Sequence, residues 1–230
     1  MSASAVATDG AAPAADTAVA RALRAVTLGK RGDALALFAG APLLLCFAPF
    51  GWYALAVLSQ AVFFATLVGA APRRSAWRGF LFGFAGFLGG TYWLYISLHE
   101  FGKAPLFIAV PMMLGLVAVM AAYFALGGWL TGLVGQRTTE RSASMLALGA
   151  PAILLFTEWL RSWVATGFPW FSWGYSQTDS PLIGFAPVAG VFGVGLAVSV
   201  SAGVLLLALI GRTRSIRIVS LCTLLALWLT

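Results

Sequence analysis

Charged side chains are scarce in this sequence. Asp, Glu, Lys and Arg make up only 9% of the 230 residues, against about 25% in an ordinary soluble domain. A soluble fold with so little charge could not cover its own surface. Histidine occurs once, at His99, and cysteine twice, at Cys46 and Cys222. Both thiols lie inside apolar runs with no CxxC or metal-type neighbour, so both are expected to be inert packing groups. No hydrolytic triad can be assembled, because His99 has no activated Ser or Cys recognisable beside it. A Gly-rich phosphate loop is missing. So is any mid-span cluster of Asp, Glu and Lys, which an ion-coupled transporter would need. His99 next to Glu100 does not make a metal site; no metal or cofactor is expected, and loop solvation accounts for the pair.

Apolar residues fill the space that charge leaves, at 61% of the chain. They run in long continuous stretches without the alternation of barrel strands, and in lipid the backbone then has to be satisfied inside helices. The expected fold class is all-α: a polytopic transmembrane helix bundle of about seven spans. These fall at about 34–47, 52–71, 80–98, 105–134, 145–163, 182–210 and 216–230, after a tail over 1–33 that is expected to be disordered and cytoplasmic. The first twenty residues are Ala-rich, with no basic n-region and no apolar h-region, which excludes a signal peptide.

The basic residues set the orientation. Arg21, Arg24, Lys30 and Arg31 precede the first span; Arg73, Arg74 and Arg78 lie between the second and third. Arg137 and Arg141 lie between the fourth and fifth, and Arg212, Arg214 and Arg217 between the sixth and seventh. Only Lys103 and Arg161 fall on the other side, so seven spans with a cytoplasmic N-terminus satisfy the positive-inside rule throughout. The net charge of +7 therefore points to membrane topology and not to nucleic acid. The last span is expected to be truncated, since residues 218–230 cover only about 20 Å of an apolar core about 30 Å thick. A continuation would emerge on the outer side.

The outer segment 158–177 carries the densest signal. Trp159, Trp163, Phe168, Trp170, Phe171, Trp173 and Tyr175 crowd the membrane–water boundary, interrupted by Gly167, Pro169 and Gly174. An aromatic belt explains any single ring; the density and the breaks suggest a shaped platform for acyl chains and a headgroup edge. Glu158 and Arg161 lie one helical turn apart in the outer third of the fifth span. Ionisable groups there are functional by default, although a structural i, i+3 ion pair tying the helix end to the loop serves as well. In the third span Gly83, Gly86 and Gly90 share one face and lead into Tyr92 and Trp93. That spacing suits close helix packing, or a narrow aromatic-rimmed lateral opening for lipid.

The run TGFPWFSWGYSQTDSPLIGFAPVAGVFGVG (166–195) closely resembles the segment that bacterial apolipoprotein N-acyltransferases carry between their fifth and sixth spans. TEWLRSW (157–163), FAPFGW (47–52) and GFLFGFAGFLGGTYWLYISLHEFG (79–102) match as well, in the right order, and the resemblance covers about residue 34 to the end. It implies transfer of a fatty acyl chain from a membrane phospholipid to the α-amino group of a lipoprotein's N-terminal diacylglyceryl-cysteine. In that family the reaction runs through a thioester on an enzyme cysteine, within a Glu-Lys-Cys set on a periplasmic nitrilase-like domain that follows span seven. None of those three positions falls in this sequence, so no catalytic residue is expected here, and the chain alone is expected to be inactive. What carries over is a multi-pass scaffold of the bacterial inner membrane that supports the catalytic domain and admits lipid. Tyr92, Trp93, Glu158, Arg161, Phe168, Trp170 and Tyr175 are the candidates that line or brace the entrance. The alternatives are a non-catalytic scaffold derived from that family, or a small transporter.

Overall fold

The computed structural model describes residues 18–136 and 142–229. Among them there are only helices and turns, with no strand. The chain begins with α1 (Ala18–Thr27) and α2 (Gly29–Gly40), then a 3-10 turn at Ala41–Cys46, and α3 (Ala54–Leu67). Next come α4 (Pro72–Gly90), α5 (Tyr92–Ile96) with a π turn at Ser97–Phe101, and the long α6 (Leu106–Gln136). A short α7 (Ser142–Ser144) and a π turn at Met145–Gly149 lead into α8 (Ala150–Trp163). After the outer segment come α9 (Ala186–Ile210) and α10 (Arg214–Trp228).

By length and composition, two helices can cross a membrane by themselves, Leu106–Gly135 and Pro181–Ile210. The pair Pro72–Gly90 and Tyr92–Phe101, bent by 52°, makes a third if it is taken as one span. The other expected spans are shorter than the roughly 20 residues a simple crossing needs. Turns of tighter or wider pitch interrupt them: the first expected span is α2 followed by a 3-10 turn, and the fifth opens on a π turn. The outer surface is apolar all the same. Phe38, Phe101, Phe107, Leu148, Val188 and Leu225 are all more than 60% exposed, which suits lipid and not water.

The core is built on close backbone approach and stacked rings. A Cβ on Gly79 would sit 2.1 Å from the Phe124 carbonyl oxygen, and one on Gly128 2.2 Å from that of Ser75. Only glycine lets α4 and α6 meet backbone to backbone, the contact that small residues allow in lipid. Phe82 sits at the centre, stacked on Phe63 at 4.4 Å and within 5.6 and 6.3 Å of Phe124 and Trp173.

Two expectations about the inner end need correction. Residues 1–17 of the expected disordered tail lie outside the described residues, as do Arg137 and Arg141. Residues 18–27 and 29–33 are helical, in α1 and the start of α2. Arg78 is not a loop cation but lies 3% exposed on α4. Its guanidinium donates to the carbonyls of Thr66, Thr27 and Gly29 and pairs with Asp33 at 3.0 Å, while Arg74 closes a second pair with Asp33 at 2.5 Å. These bonds fold the N-terminal helices onto the bundle. Cys46 is buried as expected, but Cys222 is exposed on α10.

Candidate functional site

The site is made where α8 ends. Its last two turns place Glu158 and Arg161 one turn apart and bury both, at 5% and 2% exposure. The chain then leaves the helix through three consecutive left-handed residues, Ala165, Thr166 and Gly167. At Gly167 a Cβ would lie 2.0 Å from the Ser162 carbonyl oxygen, so that corner needs glycine. The reversal brings the following backbone back over the helix end, and the Phe168 N–H donates to the Arg161 carbonyl at 2.9 Å.

Arg161 and Glu158 hold the returning strand of loop from below. The Arg161 guanidinium donates through Nη1 to the carbonyls of Phe168 and Trp170, at 2.6 and 2.5 Å, and lies 5.2 Å from the Phe87 ring centroid. Glu158 Oε1 accepts the Trp173 N–H at 2.9 Å. The spacing had suggested a direct ion pair between them. Among the described residues, however, the ion pairs within 4 Å join Asp33 to Arg74 and Arg78; Glu158 and Arg161 attract each other at longer range and make their hydrogen bonds to the loop. From above, the Trp170 indole N–H donates to the Gly90 carbonyl at 3.0 Å, tying the loop to the end of α4. Further on, Gln177 donates to the Tyr53 carbonyl at 3.2 Å and accepts from the Ser180 hydroxyl at 2.7 Å.

Phe171 has φ +61°, in the left-handed region where a bulky side chain is a true outlier. Such backbone costs about 1–3 kcal/mol and persists only where its surroundings over-determine it. Here the surroundings are the Phe47 ring at 4.3 Å, the Phe87 ring at 5.9 Å and the side-chain-free Gly90. A Cβ on Gly90 would lie 2.2 Å from the Phe171 ring.

These contacts enclose a cavity of about 750 Å³, within the usual range for small-molecule sites. One wall is Leu44, Phe47 and Ala48; a second is Gly89, Gly90, Tyr92, Trp93 and Ile96; the third is Phe168, Pro169, Trp170, Phe171 and Tyr175. The second wall is the 52° bend between α4 and α5. Trp93 and Trp170 are in contact, with ring centroids 5.4 Å apart, and Tyr92 and Tyr175 stand more than half exposed. Of the sequence candidates, Tyr92, Trp93, Phe168, Trp170 and Tyr175 line this cavity, whereas Glu158 and Arg161 sit behind its wall. Leu44, Phe47, Ala48, Gly89 and Phe171 were not singled out as site residues. The matched FAPFGW and FLGGTYW stretches were the signal that pointed to most of them. Outside the cavity, His99 Nδ1 lies 2.8 Å from the Ala104 carbonyl and its ring stacks on Tyr95.

A family model described as the apolipoprotein N-acyltransferase N-terminal domain matches residues 39–204. The chain belongs to that family. All the cavity-lining residues of this apolipoprotein N-acyltransferase family member fall inside the matched interval. Among its relatives is the apolipoprotein N-acyltransferase of Vibrio parahaemolyticus, 42% identical over 170 residues, which are 74% of this chain and 33% of the relative. Those of Coxiella burnetii and Methylococcus capsulatus are 41% and 43% identical, over 81% and 75% of this chain and 38% and 34% of theirs. The chain spans about a third of the length of the curated relatives it matches.

Proposed function

We propose that this chain is the membrane-embedded part of a bacterial apolipoprotein N-acyltransferase, and that its outer cavity admits the phospholipid that donates the acyl chain. The acceptor is the N-terminal diacylglyceryl-cysteine of a lipoprotein. The chain lies in the inner membrane with seven spans and its N-terminus in the cytoplasm, which puts the cavity at the periplasmic face. It supplies no catalytic residue and needs no cofactor; its work is to bind, orient and present lipid.

The observation that carries this reading is the aromatic cavity at the α4–α5 bend, walled by a loop that two buried charges hold in place. A lipid tail in the bilayer is already in an apolar medium, so entry gains no hydrophobic free energy. Selection therefore rests on fit and on the rim. Trp and Tyr rings with an apolar body and a polar tip suit the headgroup level, and Tyr92 and Tyr175 present hydroxyls there. The flanking rings keep water from the acyl ester that the rim exposes.

The test is acyl transfer by the full-length enzyme with Trp170→Ala and Tyr175→Ala. Removing both rings is expected to lower transfer by about tenfold or more, the scale of losing fit in an apolar pocket. Transfer at the native rate would mean that lipid enters elsewhere.

A further inference from the structure

Gly89 and Gly90 are neighbours at the end of α4, both line the cavity, and only one of them has a structural reason to be glycine. At Gly90 the Phe171 ring occupies the place of a side chain. At Gly89 a Cβ would meet nothing closer than Leu44 Cδ2 at 3.7 Å, an ordinary contact. Gly89 also has no backbone need of glycine. It lies within α4 and is not among the residues of positive φ, and the helix breaks two residues later, at Thr91. A glycine that neither its backbone nor a close neighbour requires, and that lines a cavity, leaves room for something else.

We propose that Gly89 is a specificity-determining residue: by carrying no side chain it keeps a path open across α4 toward Leu44, and so sets the length of acyl chain the cavity accepts. This rests on the reading of the cavity as a lipid site and deepens it. The occupant is a saturated or unsaturated hydrocarbon chain, because the neighbour of Gly89 is Leu44 and the cavity is otherwise lined mainly by apolar and aromatic side chains. Any side chain at 89 would project into this path and shorten it, with the rim unchanged. A larger residue there would shift the preference toward shorter chains without altering recognition of the headgroup.

The chain and its Gly89→Ala and Gly89→Leu variants, purified in detergent, would be titrated with dilauroyl and distearoyl phosphatidylethanolamine. Bound lipid is counted by native mass spectrometry, and helicity is checked by circular dichroism. Gly89→Leu is expected to weaken distearoyl binding by about tenfold or more while leaving dilauroyl binding within about twofold, the discrimination that pocket sterics supply. Gly89→Ala, whose methyl fits at ordinary contact distance, should shift the preference in the same sense by less, and it carries the test if the leucine variant does not fold. Equal loss of both lipids, or no change in either, overturns the role of Gly89. A Trp170→Ala control separates that failure from failure of the cavity itself. If Trp170→Ala weakens both lipids while Gly89→Leu shows no length preference, only the Gly89 assignment falls. If Trp170→Ala leaves both lipids bound as before, the cavity is not the lipid site and both readings fall.

Discussion

The two ends of the bundle each bury an arginine, and the two are used differently. At the end formed by α1 and α2, Arg78 meets a carboxylate, Asp33, and spreads its remaining donors over the α1–α2 junction and the end of α3. At the outer end Arg161 has no carboxylate within ion-pair distance among the described residues, and it gives two of its donor contacts to one short loop. The first arrangement fixes helices; the second fixes a wall of the cavity. A charge buried in an apolar bundle is costly unless its hydrogen bonds are made. Both ends meet that requirement, but the outer one does so with backbone that has to reverse through left-handed residues to reach it. The inner arginine therefore belongs to stability and the outer one to the shape of the site.

The sharpest way to break that contrast is Arg78→Ala. It leaves Asp33 to Arg74 alone and removes this donor from the Thr66, Thr27 and Gly29 carbonyls. Losing hydrogen bonds to a charged group costs about 1.5–3 kcal/mol each. Thermal unfolding in detergent should show a marked fall in midpoint, with the preference among lipids unchanged in whatever folded protein remains. A change in lipid preference with stability intact would reverse the assignment of the two ends.

Arg161→Lys should give the opposite pattern. Lysine keeps the positive charge but loses the rigid planar guanidinium whose Nη1 serves both the Phe168 and Trp170 carbonyls. Losing one hydrogen bond to a charged group costs about 1.5–3 kcal/mol, here localised to the 164–175 loop. Lipid binding should fall more than the unfolding midpoint does, and proteolysis near Thr166 should speed up. Equal losses in binding and stability would mean that the loop is not a separate unit.

How much of this was legible in the sequence follows from the same contrast. Trp170 and Tyr175 stood out because aromatic density in one stretch is a local property of the chain. Phe47 and Leu44 complete the cavity from more than a hundred residues away, and nothing local in 41–48 says which wall they join. Arg78 was misplaced because counting charges between apolar runs records position along the chain and not burial. Its partner Asp33 sat in a stretch expected to be disordered, so the helical residues 18–27 and 29–33 were missed together with the pair that holds them. For Glu158 and Arg161 the i, i+3 spacing placed the two charges together, but their hydrogen bonds go to the loop. Spacing shows which side chains share a helix face, but not that a left-handed reversal at 165–167 will bring better acceptors within reach. The all-helical class was legible because 61% apolar residues in continuous runs leave a chain few other ways to satisfy its backbone. The 52° bend at Thr91 was not, because the same apolar run could have continued straight.

Between the two ends lies a buried polar side chain that neither device serves. Gln60, on α3, is fully buried, and among the described residues neither its amide nitrogen nor its amide oxygen has a hydrogen-bond partner. Ser59 beside it does better, donating to the Ala39 carbonyl at 2.5 Å. An unsatisfied buried amide costs free energy that an apolar side chain of the same shape avoids. Gln60→Met, which keeps the unbranched shape, should therefore leave stability unchanged or raise it by about 1 kcal/mol. The readout is again the unfolding midpoint in detergent, measured beside Arg78→Ala so that the two substitutions move it in opposite directions. A loss of more than about 1 kcal/mol would show that Gln60 is satisfied in the folded protein, since only a polar group with partners costs that much to remove. The middle of the bundle would then hold a third polar device, and the division between a structural inner end and a functional outer end would be incomplete.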